Sequence, residues 1–208
     1  MKIGIIGATG RVGTRVLVEA RNRQHIVTAI VRDITKLADQ QTAVVNKDIF
    51  ALTADDLAPF DVIVNAFGAP FGQEYLHMKV AEHLIALLQG KNSPRMLVVG
   101  GAGSLAVDDK GTLVMDSPNV PPEVRPTAAA QGQVLNRLKQ ESSVNWTFIS
   151  PSAMFAPGER IGKYRVGSDR LLIDAQGQSH ISMEDYAIAL VDELENPQHI
   201  GQRFTVGY

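Results

Sequence analysis

Lys2-Ile-Gly-Ile-Ile6 runs directly into Gly7-Ala8-Thr9-Gly10-Arg11-Val12-Gly13, and these residues carry the strongest indication of the fold. Residues 2–6 are typical of a short buried strand, and apolar residues at helical spacing begin at Val12. The glycines allow a tight turn at Gly7, close approach of a ligand to the backbone at Gly10 and close helix packing at Gly13. The pattern predicts a dinucleotide site, with the pyrophosphate on free N–H groups at the helix N-terminus. A glycine-rich turn without a ligand is the alternative.

The bulk composition excludes several classes of function. With 208 residues, we expect one domain over residues 1–208 with a single sizeable core. The formal net charge of −2 gives no electrostatic reason to expect nucleic acid or an anionic membrane as a partner. The chain has no cysteine, its histidines are scattered singly, and no apolar run approaches membrane-spanning length. We therefore expect a cytoplasmic protein without a metal site, and the strand at residues 2–6 leaves no room for a signal peptide.

The end of the second predicted strand, residues 26–31, is where this kind of fold reads the adenosine ribose. There an acid hydrogen-bonds a 2′-hydroxyl, whereas an arginine accommodates a 2′-phosphate. The sequence offers both, since Arg32 is followed by Asp33. Lys36 comes one helical turn later and adds a second positive charge, while Asp33 is also suited to cap the turn at residues 34–37. These residues favour NADP(H) over NAD(H) as the cofactor.

Further cofactor contacts are expected at the carboxyl ends of the parallel strands, because ligands of open parallel sheets bind there. The third strand, residues 42–46, is followed by Asp48 and Ile49, which suit an adenine amine and ring face. Asp48 is equally suited to a turn. The next three strands are predicted over residues 60–66, 95–100 and 146–150. The predicted contacts from their ends are Ala66, Phe67, Gly68, Gly100 and Pro151.

Residues 151–182 are predicted to form the substrate side of the site. Residues 171–173 and 180–181 are typical of two short strands joined by a turn at Asp174-Ala-Gln-Gly177, which predicts a small hairpin acting as a flap. The basic residues between 157 and 170 suit either an anionic substrate or a solvated loop. Ser182 and Asp185 are typical of a capping box that opens a helix.

Several motifs spread over almost the whole chain resemble one family of enzymes. They are Gly7-Ala-Thr-Gly-Arg-Val-Gly13, Val31-Arg32-Asp33, Val98-Val-Gly-Gly-Ala-Gly-Ser104-Leu105, Pro157-Gly-Glu-Arg160 and Ile181-Ser-Met-Glu-Asp-Tyr186-Ala187. Together they resemble atypical short-chain dehydrogenase/reductases of the NADH-flavin reductase type and, less closely, the biliverdin-IXβ/flavin reductases. The resemblance implies an α/β fold, a Rossmann-like doubly wound parallel sheet that binds NAD(P) in an extended pose, and reduction of a flavin or similar ring.

The catalytic residues of that superfamily are matched only in part. Ser104 stands where the superfamily usually has its catalytic serine, so it is a candidate hydrogen-bonding group, with a turn role as the alternative. The helix predicted over residues 127–142 lacks the tyrosine of the superfamily's Tyr-x-x-x-Lys pair, and Lys139 is its only base at a suitable depth. Tyr75 and Lys79 have the spacing of that pair, but they follow the fourth strand rather than the fifth, so we expect no catalytic role for them.

These observations favour an NAD(P)H-dependent oxidoreductase that passes a hydride from the nicotinamide to a flavin, quinone or similar small acceptor. Hydride transfer to a flavin requires stacked rings and excluded water rather than a tyrosine acid, so the protein would act by positioning. The first alternative is a redox sensor that binds NAD(P) without turnover. The second is a reductase or epimerase of a small anionic metabolite, acting through residues 157–170. A monomer and a homodimer are both compatible with the sequence.

Overall fold

A central sheet of eight strands organises the described part of the chain, which in this computed structural model comprises residues 1–39, 41–90, 94–118 and 120–208. The strands of the fold are β1 (Lys2–Ile6), β2 (Ile26–Val31), β3 (Ala43–Asn46), β4 (Val62–Asn65), β5 (Arg95–Val99), β6 (Trp146–Pro151), β7 (Met154–Ala156), β8 (Arg165–Gly167), β9 (His180–Ser182) and β10 (Gln202–Gly207). The order in the sheet is β3-β2-β1-β4-β5-β6-β10-β8, and its neighbouring strands are parallel except for β10 and β8. This order confirms the predicted doubly wound parallel sheet.

Helices cover both faces of the sheet. They are α1 (Arg11–Asn22), α2 (Ala54–Leu57), α3 (Leu76–Leu88), α4 (Arg125–Lys139) and α5 (Met183–Glu195). One apolar layer contains α1 and α5, and the other contains α3 and α4. The central strand β4 is buried along its whole length, which explains why it reads as a continuous apolar run rather than an alternating one. Among the described residues, no helix combines the length and apolarity that a bilayer crossing requires.

The ends of the predicted elements shift by a few residues, and local side-chain bonds explain where they stop. The strand predicted over residues 60–66 ends at Asn65, because the side-chain oxygen of Asn65 accepts a bond of 3.1 Å from the Phe67 N–H and turns the chain. The helix predicted over residues 127–142 ends at Lys139. Just beyond it, the Glu141 carboxylate accepts from both the N–H and the hydroxyl of Ser143 and closes the turn.

The prediction of a hairpin over residues 171–173 and 180–181 is wrong. Residues 171–173 form no strand, and β9 pairs instead with β7, in parallel and in the register Met154 to His180. The turn between the two segments is present, since the Asp174 N–H donates to the carbonyl of Gln178 at 2.8 Å. The strand that joins the main sheet is β8, which pairs antiparallel with β10. The Leu171 N–H donates to the carbonyl of Ala106 at 2.9 Å, so both segments of the expected hairpin are held by partners distant in the sequence.

The predicted capping box of α5 has only one of its two hydrogen bonds. The Ser182 hydroxyl accepts from the Asp185 N–H at 3.0 Å, which is the predicted N-cap. The Asp185 carboxylate does not return to the cap but accepts from the Gly162 N–H at 2.9 Å and from the Tyr208 hydroxyl at 2.7 Å. The Ser182 N–H in turn donates to the Tyr208 hydroxyl. The carboxylate therefore ties the C-terminus and the 157–164 segment to α5.

Candidate functional site

A cleft of about 760 Å³ opens at the carboxyl ends of the six strands β1 to β6. Its position is the one expected for a ligand of an open parallel sheet. The predicted residues that line it are Gly7, Thr9, Gly10, Arg11, Val12, Arg32, Asp33, Asp48, Ile49, Ala66, Phe67, Gly68, Gly100 and Pro151. The predicted residues that do not line it are Ala8, Gly13 and Ser104. The volume lies within the range of small-molecule and cofactor sites in proteins.

The glycine turn after β1 has the geometry that its sequence predicts. Gly7 has a φ of +74°, and a Cβ there would lie 2.6 Å from the carbonyl oxygen of Ala66. A Cβ on Gly13 would overlap the carbonyl of Gly7, so glycine at this position lets α1 approach the turn. Ala8 is buried beneath the turn, and its carbonyl accepts from the Thr14 hydroxyl at 3.0 Å. Gly13 and Ala8 therefore shape the turn from below, without lining the cleft.

The N-terminus of α1 offers an anion site to the cleft. Gly10 is the N-cap and has no side chain to satisfy the first N–H groups, and the first turn carries no acidic residue. The Arg11 guanidinium has no hydrogen-bond or ion-pair partner within the described ranges. Free N–H groups, the positive end of the helix dipole and an unpaired cation all favour a phosphate at this point. The residues present thus fit the pyrophosphate of a dinucleotide.

One end of the cleft, here called the charged end, follows β2 and β3 and is lined by Arg32, Asp33, Lys36, Lys47 and Asp48. The Asp33 carboxylate accepts from the Thr35 hydroxyl at 2.6 Å and the Thr35 N–H at 3.1 Å. These bonds, the hydroxyl first, lower the pKa of Asp33, and they use its Oδ1 to cap the 3₁₀ turn Ile34–Lys36. The side chains of Arg32 and Lys36 are 76% and 70% exposed. Two accessible cations thus accompany an acid that is already engaged in a cap.

Asp48 and Ile49 fulfil parts of both roles considered for them. The Asp48 carboxylate accepts from the Phe50 N–H at 2.9 Å, which caps the turn Ile49–Ala51, and its other oxygen lies 3.9 Å from Nη1 of Arg32. Ile49 is buried and still lines the cleft with part of its surface. The turn role of Asp48 is therefore present, and Ile49 provides an apolar wall of the kind that suits a ring face.

The opposite end of the cleft, here called the neutral end, is formed by the segments after β4, β5 and β6 and by α4 and α5. The described residues that line it include no Asp, Glu, His, Lys, Arg, Tyr or Cys. They are Phe67, Gly68, Pro70, Gln73, Leu76, Val99, Gly100, Gly101, Ala102, Val124, Thr127, Gln131, Pro151, Ser152, Ala153, Phe155 and Met183. The neutral end can hold a planar apolar ring but has no side chain that could transfer a proton near neutral pH.

His77 lies behind the neutral end without lining it. Its ring packs edge-on against Phe67 with the ring centroids 5.8 Å apart, and only 8% of the residue is exposed. Burial lowers the pKa of this imidazole, so His77 is neutral at and above its ordinary titration range. It supports the Phe67 wall as an uncharged ring.

Two residues that the sequence did not single out, Thr127 and Gln131, line the neutral end from α4. They are four residues apart and therefore share one face of the helix. A Cβ on Gly101 would overlap the amide oxygen of Gln131, so the Gln131 side chain lies directly against the backbone that follows β5. The signal that could have found them is their place on the first two turns of a helix that enters from the carboxyl edge of the sheet.

Ser104, in the loop after β5, does not line the cleft. Its hydroxyl accepts from Nη1 of Arg203 at 3.3 Å. Arg203 is buried and also pairs with the carboxylate of Asp169. Ser104 therefore joins a bonded group between this loop and β10, and its predicted catalytic role stays a prediction. Lys139 is likewise outside the cleft, with its Nζ 3.8 Å from Asp169.

Tyr75 and Lys79 contact each other rather than the cleft. The Lys79 Nζ lies 5.1 Å from the centroid of the Tyr75 ring, and neither residue lines the site. The polar side chains of the 157–170 segment are also directed elsewhere. Pairs formed by this segment include Arg160 with Glu19, Tyr164 with Asp192 and Arg170 with Asp109. These groups fasten the segment to α1, α5 and the loop after β5, so Arg160, Tyr164 and Arg170 have partners within the protein.

The residues described contain no group of three or more His, Asp or Glu side chains that could hold a metal ion. The charged end of the cleft and the glycine turn therefore offer cations and free N–H groups. The neutral end offers amide, hydroxyl and apolar groups.

Comparisons with known proteins agree with this geometry. A model of the NAD(P)H-binding family matches residues 7–197. YwnB of Bacillus subtilis (strain 168), an uncharacterised protein, is 53% identical over 208 residues, covering 99% of this chain and 98% of YwnB. The crystal structure of SP1627 from Streptococcus pneumoniae TIGR4, provisionally assigned as an NADH-flavin reductase, is 42% identical with a TM-score of 0.93, covering 100% of this chain and 99% of that one. A structure from Bacteroides thetaiotaomicron, provisionally assigned as an epimerase, is 39% identical with a TM-score of 0.86, covering 100% and 96%. The glycine turn and the N-terminus of α1 agree with these matches, and the matches show that the chain belongs to the NAD(P)H-binding family.

Proposed function

We propose that this protein is an NADPH-preferring oxidoreductase that passes a hydride from the nicotinamide to a flavin or a similar planar acceptor. The observation that carries the proposal is the division of the cleft. One end and the turn offer cations and free N–H groups, and the other end offers apolar walls with no described ionisable side chain. Such a cleft suits a charged dinucleotide that reaches into a site where the protein supplies no acid or base.

The cofactor would span the cleft from the charged end to the neutral end. In a doubly wound fold the pyrophosphate lies at the first glycine turn and the ribose at the end of β2. Gly10, Arg11 and the N–H groups of α1 would then hold the pyrophosphate. Arg32 and Lys36 would face the 2′-phosphate, because both are accessible. Of the Asp33 carboxylate, Oδ1 is used by its own cap and Oδ2 lies 3.8 Å from Nζ of Lys36. The nicotinamide would reach the neutral end beside Phe67 and Pro151.

Reduced nicotinamide supplies a hydride, which is two electrons and one proton, and a flavin takes that hydride at N5 and a further proton from water. The protein's part is to stack the two rings and to exclude water from the point of transfer. Phe67, Phe155 and Pro151 provide apolar surface for this purpose. An acceptor that receives its proton from solvent requires no protein acid, which agrees with the composition of the neutral end.

The names of the relatives divide between reduction and epimerisation, and the composition of the neutral end favours reduction. SP1627 is provisionally assigned as an NADH-flavin reductase and the Bacteroides thetaiotaomicron protein as an epimerase. An epimerase that works through a hydroxyl substrate requires a residue to take and return its proton. None of the described lining residues can do so at the neutral end. A sensor that binds NAD(P) without turnover is the second candidate, since the same absence of acid and base is compatible with binding alone.

The test is steady-state oxidation of NADPH and of NADH by the purified chain, with and without riboflavin, FMN or a naphthoquinone. Turnover that requires an acceptor and is faster with NADPH would support the proposal. Saturable NADPH binding without turnover for any acceptor would support the sensor instead. Turnover limited to an anionic hydroxy or keto metabolite would contradict both and would favour an ordinary metabolite reductase.

A further inference from the structure

Gln131 and Thr127 are the polar side chains of α4 that reach the neutral end of the cleft. Neither side chain has a hydrogen-bond partner within the described part of the chain. The Ser152 hydroxyl, which lines the same end, is satisfied by the carbonyl of Val206 at 3.1 Å. Partly buried amide and hydroxyl groups that lack protein partners are expected to bond to water or to a ligand. In this cleft they lie where the acceptor would bind.

The position of Gln131 is fixed by close packing of α4 on the loop after β5. A Cβ on Gly103 would lie 2.5 Å from the Cβ of Ala128, and one on Gly132 would lie 3.6 Å from the Cβ of Ser104. The helix therefore contacts this loop at backbone distance. The Gln131 amide lies against Gly101, where a side chain would displace it. This packing fixes the position of the helix that carries the Gln131 amide, and an amide placed in this way can select a ligand by its hydrogen-bonding pattern.

A primary amide offers an N–H donor and a carbonyl acceptor side by side. It therefore matches an adjacent carbonyl and N–H on a planar ring, as in a lactam or imide, through two parallel hydrogen bonds. The pyrimidine edge of a flavin has this arrangement. A naphthoquinone has carbonyls but no N–H, so it can use only half of the amide. An acceptor whose polar edge does not match the amide leaves a buried polar group without a hydrogen bond, and the free-energy cost of that group discriminates strongly between acceptors.

We propose that Gln131 is the residue that selects the acceptor, by pairing its amide with the imide edge of a flavin-type ring, with the Thr127 hydroxyl one helical turn earlier as a second contact. The inference rests on the proposed function, since it assigns the acceptor to the neutral end. It adds a preference for flavin-type over quinone-type acceptors, which the charged and neutral ends of the cleft do not by themselves require. A quinone can pair with only half of the amide and would depend much less on this side chain.

The experiment compares Gln131→Met, which keeps the length of the side chain and removes its hydrogen bonds, with Gln133→Met. Gln133 lies on the same helix, is exposed and does not line the cleft, so it is a matched control. At saturating NADPH, we expect Gln131→Met to lower kcat/KM for riboflavin about tenfold and to leave the naphthoquinone within about twofold. Gln133→Met should leave both acceptors unchanged.

An acceptor variant completes the test. Riboflavin methylated at N3 lacks the imide N–H, so the wild-type protein should use it about as poorly as Gln131→Met uses riboflavin. Gln131→Met should be indifferent to the methyl group. An equal loss for flavin and quinone, or a raised KM for NADPH, would show that Gln131 contacts the nicotinamide and would overturn the inference. Equal rates of the variant and the wild type with riboflavin would overturn it as well.

A binding measurement separates failure of this inference from failure of the proposed function. Quenching of riboflavin fluorescence by the NADP⁺-bound protein reports acceptor binding whether or not turnover occurs. If the wild type binds riboflavin without turnover and Gln131→Met binds it about tenfold more weakly, the reductase proposal fails while Gln131 keeps its role. If the wild type turns over a quinone but does not bind riboflavin, the reductase proposal stands and the imide assignment fails.

Discussion

Replacing Arg32 by alanine tests whether the charged end of the cleft reads a 2′-phosphate. The Arg32 side chain is 76% exposed, so its charge acts through a medium almost as polar as water. At about 4 Å in such a medium one pair of unit charges is worth about 1 kcal/mol, and a phosphate carries close to two negative charges. The loss for NADPH should thus be about 1.5–2 kcal/mol, or about 10- to 30-fold in kcat/KM.

The Asp48 carboxylate should increase the loss of kcat/KM for NADPH in Arg32→Ala. The Asp48 carboxylate lies 3.9 Å from Arg32, so the substitution leaves a negative charge beside the phosphate. NADH has a hydroxyl in place of the phosphate, and its kcat/KM should change by less than about threefold. The side chains of Arg32 and Asp48 are both exposed to solvent. The preference for NADPH should therefore shrink when the salt concentration rises towards about 1 M, where the Debye length is about 3 Å.

The assay is kcat/KM for NADPH and NADH with one acceptor, at low and at high salt. Arg170→Ala is a matched control, because Arg170 is also exposed and pairs with one acid, Asp109, outside the cleft. Asp33→Asn should leave NADH use nearly unchanged if the Asp33 carboxylate serves only as the cap of its turn. A wild-type preference for NADH that Asp33→Asn removes, or an equal loss of both cofactors in Arg32→Ala, would contradict the role assigned to Arg32.

Three further predictions concern protonation and stability. With no ionisable lining residue described at the neutral end and a neutral His77, kcat for flavin reduction should vary less than about threefold from pH 6.5 to 9, and a tenfold change per pH unit would contradict this. Gly13→Ala should cost about 1–3 kcal/mol in urea unfolding because its Cβ meets the Gly7 carbonyl, whereas Gly68→Ala, with open space around it, should be nearly neutral. Hydrogen bonds from the hydroxyl and the N–H of Ser143 lower the pKa of Glu141 to about 2. Glu141→Gln should therefore destabilise the protein at pH 7. The difference in free energy of unfolding between variant and wild type should fade as the pH drops from about 4.5 to about 2.

The strand–turn–helix at the N-terminus could be predicted in detail because the information is local. Gly7 must adopt a positive φ and Gly13 must admit the helix, and both requirements are met within a few residues of sequence. The same holds for Asp33, whose cap is formed with Thr35, two residues away. The order of parallel strands then follows from fold rules that many sequences share.

Pairings between distant segments could not be predicted in this way. Residues 171–173 and 180–181 have the pattern of a hairpin, but β9 pairs with β7, which lies 26 residues earlier. The basic side chains of the 157–170 segment resemble a substrate site in sequence. Arg160 and Arg170 are instead paired with acids on α1 and in the loop after β5, and Arg165 donates to backbone carbonyls. A short polar or apolar pattern does not specify its partner, because strand pairing and ion pairing are decided by which surfaces the core brings together.

The sequence is sufficient to predict the parallel sheet, the glycine turn after β1 and the cations Arg32 and Lys36, because each is encoded by residue type at short range. The groups that face the neutral end of the cleft become known only from the folded structure. It directed Ser104 towards Arg203 and placed Gln131 beside Gly101. The physical reason is that the exposed face of α4 is set by its close packing on the loop after β5, and that contact exists only once the sheet has formed.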